Sequence, residues 1–319
     1  MECCSKDKAY KSVEITLGQK MDFNLANGKV SAIIDYTSSS LLTIPAKDFI
    51  INGKPKTNPE IYSLDKATKL GAKLEDVDFS YGHFNGEAYA ETLTFNDKTI
   101  KLNLLSAQSV STTEADDFTP RIGMGRLSAF VKTLQVNEII ETPVAVIKRS
   151  KDSNRKVTIG DYTKEIKANF ANITFCNSTY TGNELTKYNC LAKGFITPKG
   201  VGYKLDYDVT YDLNGKTKVL FNKQVMQDYF VSLHLISGCN LANKTFECSE
   251  KTEMKNMPDF RMIIQDNVYN ISASILFPQA DNKKYKSIIE FDFSATKSQI
   301  VLGQDFFEEN DLAVNMNSR

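Results

Sequence analysis

Short stretches that alternate apolar and polar residues recur along this sequence and limit it to a fold built mainly of β-strands. An alternation with a period of two places one face of a strand against a core. Clear examples are Ala88 to Phe95, Thr99 to Leu105, Tyr203 to Tyr211 and Ser287 to Phe293. Asn214-Gly215, just after the third stretch, is typical of a β-hairpin turn because both residues accept positive φ. Only Leu127 to Leu134 and Gln224 to Leu235 show helical spacing.

The length of the chain sets how much core it can bury. With 319 residues, 41% of them hydrophobic, the chain can bury one large core or two moderate ones. A polar run from Ser150 to Lys156 divides it into similar halves. We therefore predict an all-β protein with a few short helices and two lobes, residues 1–156 and 157–319.

Charge and hydropathy exclude several function classes. Lys plus Arg and Asp plus Glu both number 39, and no basic or acidic block stands out, so nucleic-acid binding is not supported. No run of eighteen apolar residues is present, which predicts no membrane span. With only two His and no close Cys pair of the Cys-x-x-Cys kind, we expect no metal. No cofactor motif is present, and we predict no cofactor.

The segment Ile33 to Pro45, which reads Ile-Ile-Asp-Tyr-Thr-Ser-Ser-Ser-Leu-Leu-Thr-Ile-Pro, carries the most informative motif. It resembles the first active-site loop of pepsin-type aspartic proteases, with the Asp-Thr-Gly of that family rewritten as Asp-Tyr-Thr. Further segments resemble motifs of the family, in the family's order: Ser80 to Gly86 (the flap hairpin), Phe118 to Gly125, Val157 to Tyr162, Cys248 to Met262, and Gln299 to Asn315. The resemblance implies a bilobal, double-barrel acid-protease fold.

The same resemblance predicts that catalysis has been lost. Pepsin-type enzymes use two carboxylates that share one proton. The second half contains no Asp-Thr/Ser-Gly, and the place expected for it reads Lys218 to Gln224, so we predict that Asn222 replaces the second Asp. An amide cannot lose a proton. The predicted vestigial site, with no catalytic residue, is Asp35, Thr37, Ser38 and Asn222, with Ser38 hydrogen-bonded to Asp35.

Two readings of the cleft remain open. Tyr81 and Gly82 stand at the flap position, and Tyr81 either covers a ligand or packs on its own lobe. The protein thus either binds a protein or peptide partner in an extended form, or has a filled cleft and serves as an interaction module in a larger assembly. The alternative is an active aspartic endopeptidase cleaving peptides at acidic pH. Its second Asp would lie among Asp206, Asp208 and Asp212, although none of them precedes Thr/Ser-Gly.

The cysteines favour an oxidising compartment. Cys239 and Cys248 flank a short polar hairpin where pepsin-like proteins carry a disulfide, and Cys176 pairs with Cys190 across a similar loop in this interpretation; free thiols are the alternative. Disulfides imply a secreted or lumenal protein. No apolar segment follows Met1, so we expect either a cytosolic chain or a mature form, and the cysteines favour the mature form. The roles of Cys3 and Cys4 stay open.

Four Asn-x-Ser/Thr sequons all occur in the second half. They are weak support for secretion and mark candidate glycosylation sites in exposed loops. The four asparagines are Asn172, Asn177, Asn243 and Asn270.

Overall fold

The computed structural model is dominated by β-strands, as the sequence predicts. It describes residues 12–57, 62–79, 82–95, 97–113, 118–151, 155–160, 189–197, 200–213, 215–225, 238–249, 252–253, 257, 259–264, 267–279, 285–292, 294 and 298–316. The strands of the first half are β1 (Val13–Thr16), β2 (Lys20–Leu25), β3 (Gly28–Asp35), β4 (Leu42–Ile51), β5 (Lys54–Thr57), β6 (Thr68–Phe79), β7 (Gly82–Phe95), β8 (Lys98–Thr112), β9 (Arg121–Gly123), β10 (Val144–Ile147) and β11 (Lys156–Ile159).

The second half is equally rich in strands. They are β12 (Asn189–Ile196), β13 (Gly202–Tyr211), β14 (Lys218–Phe221), β15 (Cys239–Ala242), β16 (Thr245–Cys248), β17 (Phe260–Ile264), β18 (Asn267–Ile271), β19 (Tyr285–Phe291), β20 (Gln299–Leu302) and β21 (Leu312–Asn315). The described helices are short: α1 (Ala129–Val136), α2 (Lys223–Val225), α3 (Ala273–Leu276) and a 3₁₀ turn (Phe306–Glu308).

Each half of the chain forms one large sheet. Among the described residues, the N-terminal sheet has the order β2-β3-β9-β4-β8-β7-β6, with β5 beside β4. The C-terminal sheet has the order β15-β16-β19-β14-β20-β13-β12-β17-β18. Three of the predicted alternating stretches fall within β7, β8 and β13, and the fourth, Ser287 to Phe293, lies in β19 up to Phe291, while Phe293 lies outside the described residues.

A third sheet connects the two halves. Its order in the described part of the chain is β1-β11-β10-β21, and Ile147 of β10 pairs with Leu312 of β21. The lobe boundary predicted at residues 156 and 157 falls within β11, and the division into lobes 1–156 and 157–319 stays a prediction.

Helix α1 confirms the first predicted helix and anchors the N-terminal sheet. It begins after Ser128, whose Oγ accepts a hydrogen bond from the Val131 N–H (3.3 Å), as an N-cap side chain does. The same hydroxyl donates to the carbonyl of Gly123 (2.6 Å) at the end of β9. Phe130 and Leu134 are buried against the core. The second predicted helix, Gln224 to Leu235, lies mostly outside the described residues.

Candidate functional site

The two large sheets repeat one arrangement of strands around a central strand. In the N-terminal sheet, β3 runs parallel to β9 and pairs Ile34 with Ile122, and β4 lies antiparallel on the other side of β9. In the C-terminal sheet, β13 runs parallel to β20 and pairs Tyr211 with Leu302, and β14 lies antiparallel on the other side of β20. The outer neighbours also correspond, since β4 is parallel to β8 and β14 to β19.

This repeat places Asp212 at the position equivalent to Asp35. Asp35 follows Ile34 and pairs with Gly123 at the end of β9. Asp212 follows Tyr211, and its N–H donates to the carbonyl of Leu302 (3.0 Å), which sets it opposite Gly303. Both halves therefore end a parallel strand with an aspartate at the same point of the arrangement.

The prediction that Asn222 takes the second aspartate's place is therefore wrong. Asn222 follows β14, which corresponds to β4 and not to β3. Its Oδ1 accepts from the Val225 N–H (3.2 Å), and its own N–H donates to Ser298 Oγ (3.0 Å). Asn222 thus caps α2, a common role for Asn at the start of a helix. The loop predicted to be lost is present around Asp212.

The prediction of a hairpin at Asn214-Gly215 is also wrong, which explains why Asp212 was named only under the endopeptidase alternative. Strands β13 and β14 do not pair with each other, because β20 lies between them. Asn214 lies outside the described residues. The Gly215 N–H donates to Oδ1 of Asp212 (3.1 Å), and a Cβ on Gly215 would come within 2.4 Å of Asp212 Oδ2. A glycine close to the carboxylate is thus retained, three residues after the Asp instead of two.

Asp35 is enclosed by its own loop. It has no solvent exposure, and its Oδ1 accepts hydrogen bonds from the N–H (2.9 Å) and the Oγ1 (2.8 Å) of Thr37. Tyr36 is also buried, at 2% exposure, and its hydroxyl has no hydrogen-bond partner among the described residues. Burial raises the pKa of Tyr36 well above its ordinary value.

The environment of Asp212 differs from that of Asp35. Asp212 is partly exposed. The following residue, Leu213, is buried at 2% exposure and supplies no side-chain hydrogen-bonding group. Two polar Thr positions of the family's loops are therefore filled here by buried Tyr36 and Leu213. Gly303 and Gly123 both touch the loops closely, since a Cβ on either would lie 2.2 or 2.3 Å from loop backbone.

Ser38 connects the Asp35 loop to the predicted flap hairpin of β6 and β7. Its hydroxyl donates to the carbonyl of Asp78 (2.8 Å) and accepts from the Ser40 N–H (3.0 Å). The predicted Ser38 to Asp35 hydrogen bond is therefore replaced by a link to β6, and Thr37 bonds the carboxylate instead.

The hairpin also packs on a small aromatic cluster. Phe79 stacks on Phe84 with ring centroids 5.6 Å apart and meets Phe118 edge-on at 6.0 Å, and the Arg121 guanidinium lies 5.3 Å over the Phe79 ring. Tyr81 lies outside the described residues. Gly82 pairs so closely with β8 that a Cβ would lie 1.9 Å from the Ser111 carbonyl oxygen.

The histidine on this hairpin lies beside an aspartate of the facing strand. His83 is exposed on β7, with Nδ1 2.6 Å from Oδ1 of Asp78 on the facing strand. The second histidine, His234, lies outside the described residues.

One predicted disulfide is present. Cys239 and Cys248 are bonded and face each other across β15 and β16. The predicted Cys176 to Cys190 pair lies outside the described residues. Asn243, at a hairpin turn, and Asn270, on β18, have exposed side chains. Asn172 and Asn177 lie outside the described residues.

No group of three or more His, Cys, Asp or Glu side chains among the described residues is arranged to hold a metal ion. No helix in that part of the chain has the length and apolar character of a membrane span.

A comparison with solved structures shows which fold this is. The chain superposes on the crystal structure of the aspartic proteinase from Irpex lacteus with a TM-score of 0.63, covering 95% of this chain and 94% of the other at 15% sequence identity. No protein-family model and no curated protein sequence matches the chain. The protein therefore has the all-β, bilobal fold of pepsin-like aspartic proteases, and the likeness at this identity concerns the fold alone.

Proposed function

We propose that the protein binds an extended polypeptide in a pepsin-like cleft and does not hydrolyse it. The observation that carries the proposal is the complete burial of Asp35, with its Oδ1 accepting two hydrogen bonds from Thr37. A general base must lie within hydrogen-bonding reach of the water that it activates. A carboxylate enclosed in this way is poorly placed to do so.

The neighbours of the two aspartates support the same conclusion. Aspartic-protease chemistry depends on two carboxylates held close enough to share one proton. Here Asp35 is buried while Asp212 is partly exposed, and the side chains that follow them, Tyr36 and Leu213, differ in size and chemistry. Neither of these side chains supplies the small hydroxyl of the family's Asp-Thr loops, which supports a binding groove over a proton-sharing dyad.

A binding role needs backbone edges and a groove more than it needs acid chemistry. An extended peptide bound in such a cleft gains affinity from main-chain hydrogen bonds and specificity from side-chain pockets. The disulfide between Cys239 and Cys248 supports a secreted or lumenal location for this activity, because disulfides persist in oxidising compartments. Glycosylation at exposed Asn243 and Asn270 is part of the same proposal.

A second candidate, an active aspartic endopeptidase, is favoured by one observation. Asp212 occupies the position equivalent to Asp35 in the repeated strand arrangement. Both carboxylates that the chemistry requires are therefore present at corresponding strand ends.

Incubation with a broad peptide library at acidic pH separates the two candidates. The binding proposal expects no cleavage that a transition-state analogue of aspartic proteases inhibits, and it expects retention of a subset of peptides by the immobilised protein. Cleavage that disappears in both Asp35→Asn and Asp212→Asn would establish the endopeptidase. Asp22→Asn, which changes an exposed carboxylate of β2, serves as the matched control.

A further inference from the structure

The N-terminal lobe contains a cavity beside the turn that joins β2 to β3, which we call the outer cavity. This outer cavity has a volume of about 640 Å³ and lies between the turn joining β2 to β3, the segment 62–63, and Pro45 and Pro120. On β3 its lining residues run from Gly28 to Ser31, four to seven residues before Asp35. At about 3.3 Å per residue this places them roughly 13 to 23 Å along the strand from Asp35.

One wall of the outer cavity is held in place by a buried carboxylate. The Tyr62 hydroxyl donates to Oε2 of Glu91 (3.2 Å), which is only 3% exposed, and accepts from the Asn27 N–H (3.0 Å). The Asn27 side chain in turn donates to the Ser63 carbonyl (2.7 Å). Burial raises the pKa of Tyr62 to about 12, so the phenol keeps its proton. Segment 62–63 has no regular secondary structure, yet it is fixed to the β2 to β3 turn.

Two lysines line the outer cavity, and the carboxylate of Asp22 is bonded to its lining, since Oδ1 of Asp22 accepts a hydrogen bond from the Ser31 hydroxyl. Lys20 and Lys29 lie among its lining residues, which include no Asp or Glu. Lys29 pairs with Asp22, at 2.6 Å between Nζ and Oδ2. For Lys20 no ion pair is found within the described part of the chain. Asn27, Ser31, Tyr62 and Ser63 add amide and hydroxyl groups to the lining, and its apolar part consists of Val30, Ile44, Pro45 and Pro120.

We propose that the outer cavity is a second binding site, which takes a small organic anion with a polar body. A volume of about 640 Å³ suits a small molecule. The ammonium of Lys20 attracts a carboxylate or phosphate, Lys29 offers a second ammonium that it shares with Asp22, and the amide and hydroxyl groups provide partners for the polar body. A wall fixed before binding lowers the entropy lost by the protein on association.

Amide NMR titrations at low ionic strength test the site, with citrate, glucose 6-phosphate, inorganic phosphate and uncharged glucose as probes. We expect citrate or glucose 6-phosphate to give saturable shifts at Lys20, Asn27 and Ser63, with glucose giving none. Either organic anion should bind at least about fivefold more tightly than inorganic phosphate, because its body adds contacts.

Variants connect the shifts to the outer cavity. Lys20→Gln/Lys29→Gln should weaken binding about tenfold through the loss of charge-assisted hydrogen bonds, while Lys101→Gln, an exposed lysine on β8, should leave it unchanged. An unaltered amide spectrum away from the cavity verifies that the variants are folded. The proposal is overturned if the shifts do not saturate below about 20 mM of either organic anion. It is also overturned if the double variant binds as tightly as the wild type, or if inorganic phosphate binds as tightly as both organic anions. None of these outcomes bears on peptide binding in the cleft.

Discussion

The buried hydroxyl of Tyr36 leads to an unusual prediction: its removal should stabilise the protein. Tyr36 is 2% exposed, and its hydroxyl has no hydrogen-bond partner among the described residues. Burying an unpaired hydroxyl costs about 1 to 3 kcal/mol in proteins. Part of that gain is lost to the small void that the oxygen leaves, so we expect Tyr36→Phe to raise the free energy of unfolding by about 1 kcal/mol.

Two further variants give this prediction its controls. Tyr62→Phe removes a hydroxyl that bonds both Glu91 and the Asn27 N–H, and should lower the free energy of unfolding by about 1 to 3 kcal/mol. Tyr36→Thr restores the residue type typical of the pepsin loop but deletes a buried ring, which should cost about 3 to 5 kcal/mol. Opposite signs for the two Tyr→Phe changes are the specific expectation.

Urea unfolding followed by far-UV circular dichroism measures all three variants. The chain has no Trp, so fluorescence depends on the tyrosines being changed and is the poorer signal. The melting temperature of Tyr36→Phe should rise by roughly 1 to 3 °C. A loss of 1 kcal/mol or more in Tyr36→Phe would refute the reasoning, because it would mean that the hydroxyl is hydrogen-bonded in the folded protein.

Three other perturbations have defined outcomes. Ser38→Ala removes the hydrogen bond to the Asp78 carbonyl and should cost about 1 kcal/mol with faster amide exchange in the β6 to β7 hairpin; unchanged exchange would contradict the tether. Because burial raises the pKa of Tyr62 from 10.0 to about 12, the folded state holds this proton more tightly, so stability present below pH 10 should fall as the pH rises towards 12. Tyr62→Phe should flatten that decline, and an identical pH profile would argue against it. Cys239→Ser/Cys248→Ser opens a loop with a separation of nine residues and should cost about 2 to 3 kcal/mol; added reductant should then destabilise the wild type but not the variant.

The strands were predictable because their signal is local. Residues 88–95 and 99–105 alternate apolar and polar side chains, and they lie in β7 and β8, which have one face on the core. The first helix was predictable for the same reason, although it begins at Ala129, two residues later than the spacing indicated. Ser128 sets that start by capping it.

The second aspartate lacks the family's local Asp-Thr/Ser-Gly spacing. Asn214-Gly215 between two strand-like stretches has the same local pattern whether those strands pair directly or receive a third strand between them. That third strand, β20, comes much later in the chain, so the choice depends on a long-range contact. A search for Asp-x-x-Gly, with one residue more than the family's spacing, would have found Asp212.

The role of Asn222 was misjudged because its residue type suits two positions. Asn is isosteric with Asp at a lost catalytic site, and it is also among the best helix N-caps. The hydrogen bond from the Val225 N–H to Asn222 Oδ1 shows that Asn222 is a helix N-cap. Ser38 is a similar case. Its hydroxyl is close to Asp35 in the sequence, but it donates to the backbone carbonyl of Asp78 on β6.

The sheet of β1, β11, β10 and β21 has a consequence for biosynthesis. A nascent chain that has left the ribosome up to about residue 160 can pair three of these strands. One edge of β10 stays unpaired until β21, Leu312–Asn315, has been synthesised. At the usual speed of translation that interval lasts roughly 8 to 30 s. An open strand edge of Val and Ile residues is a template for pairing with other chains, so chaperone protection during this interval should govern how much protein a cell recovers.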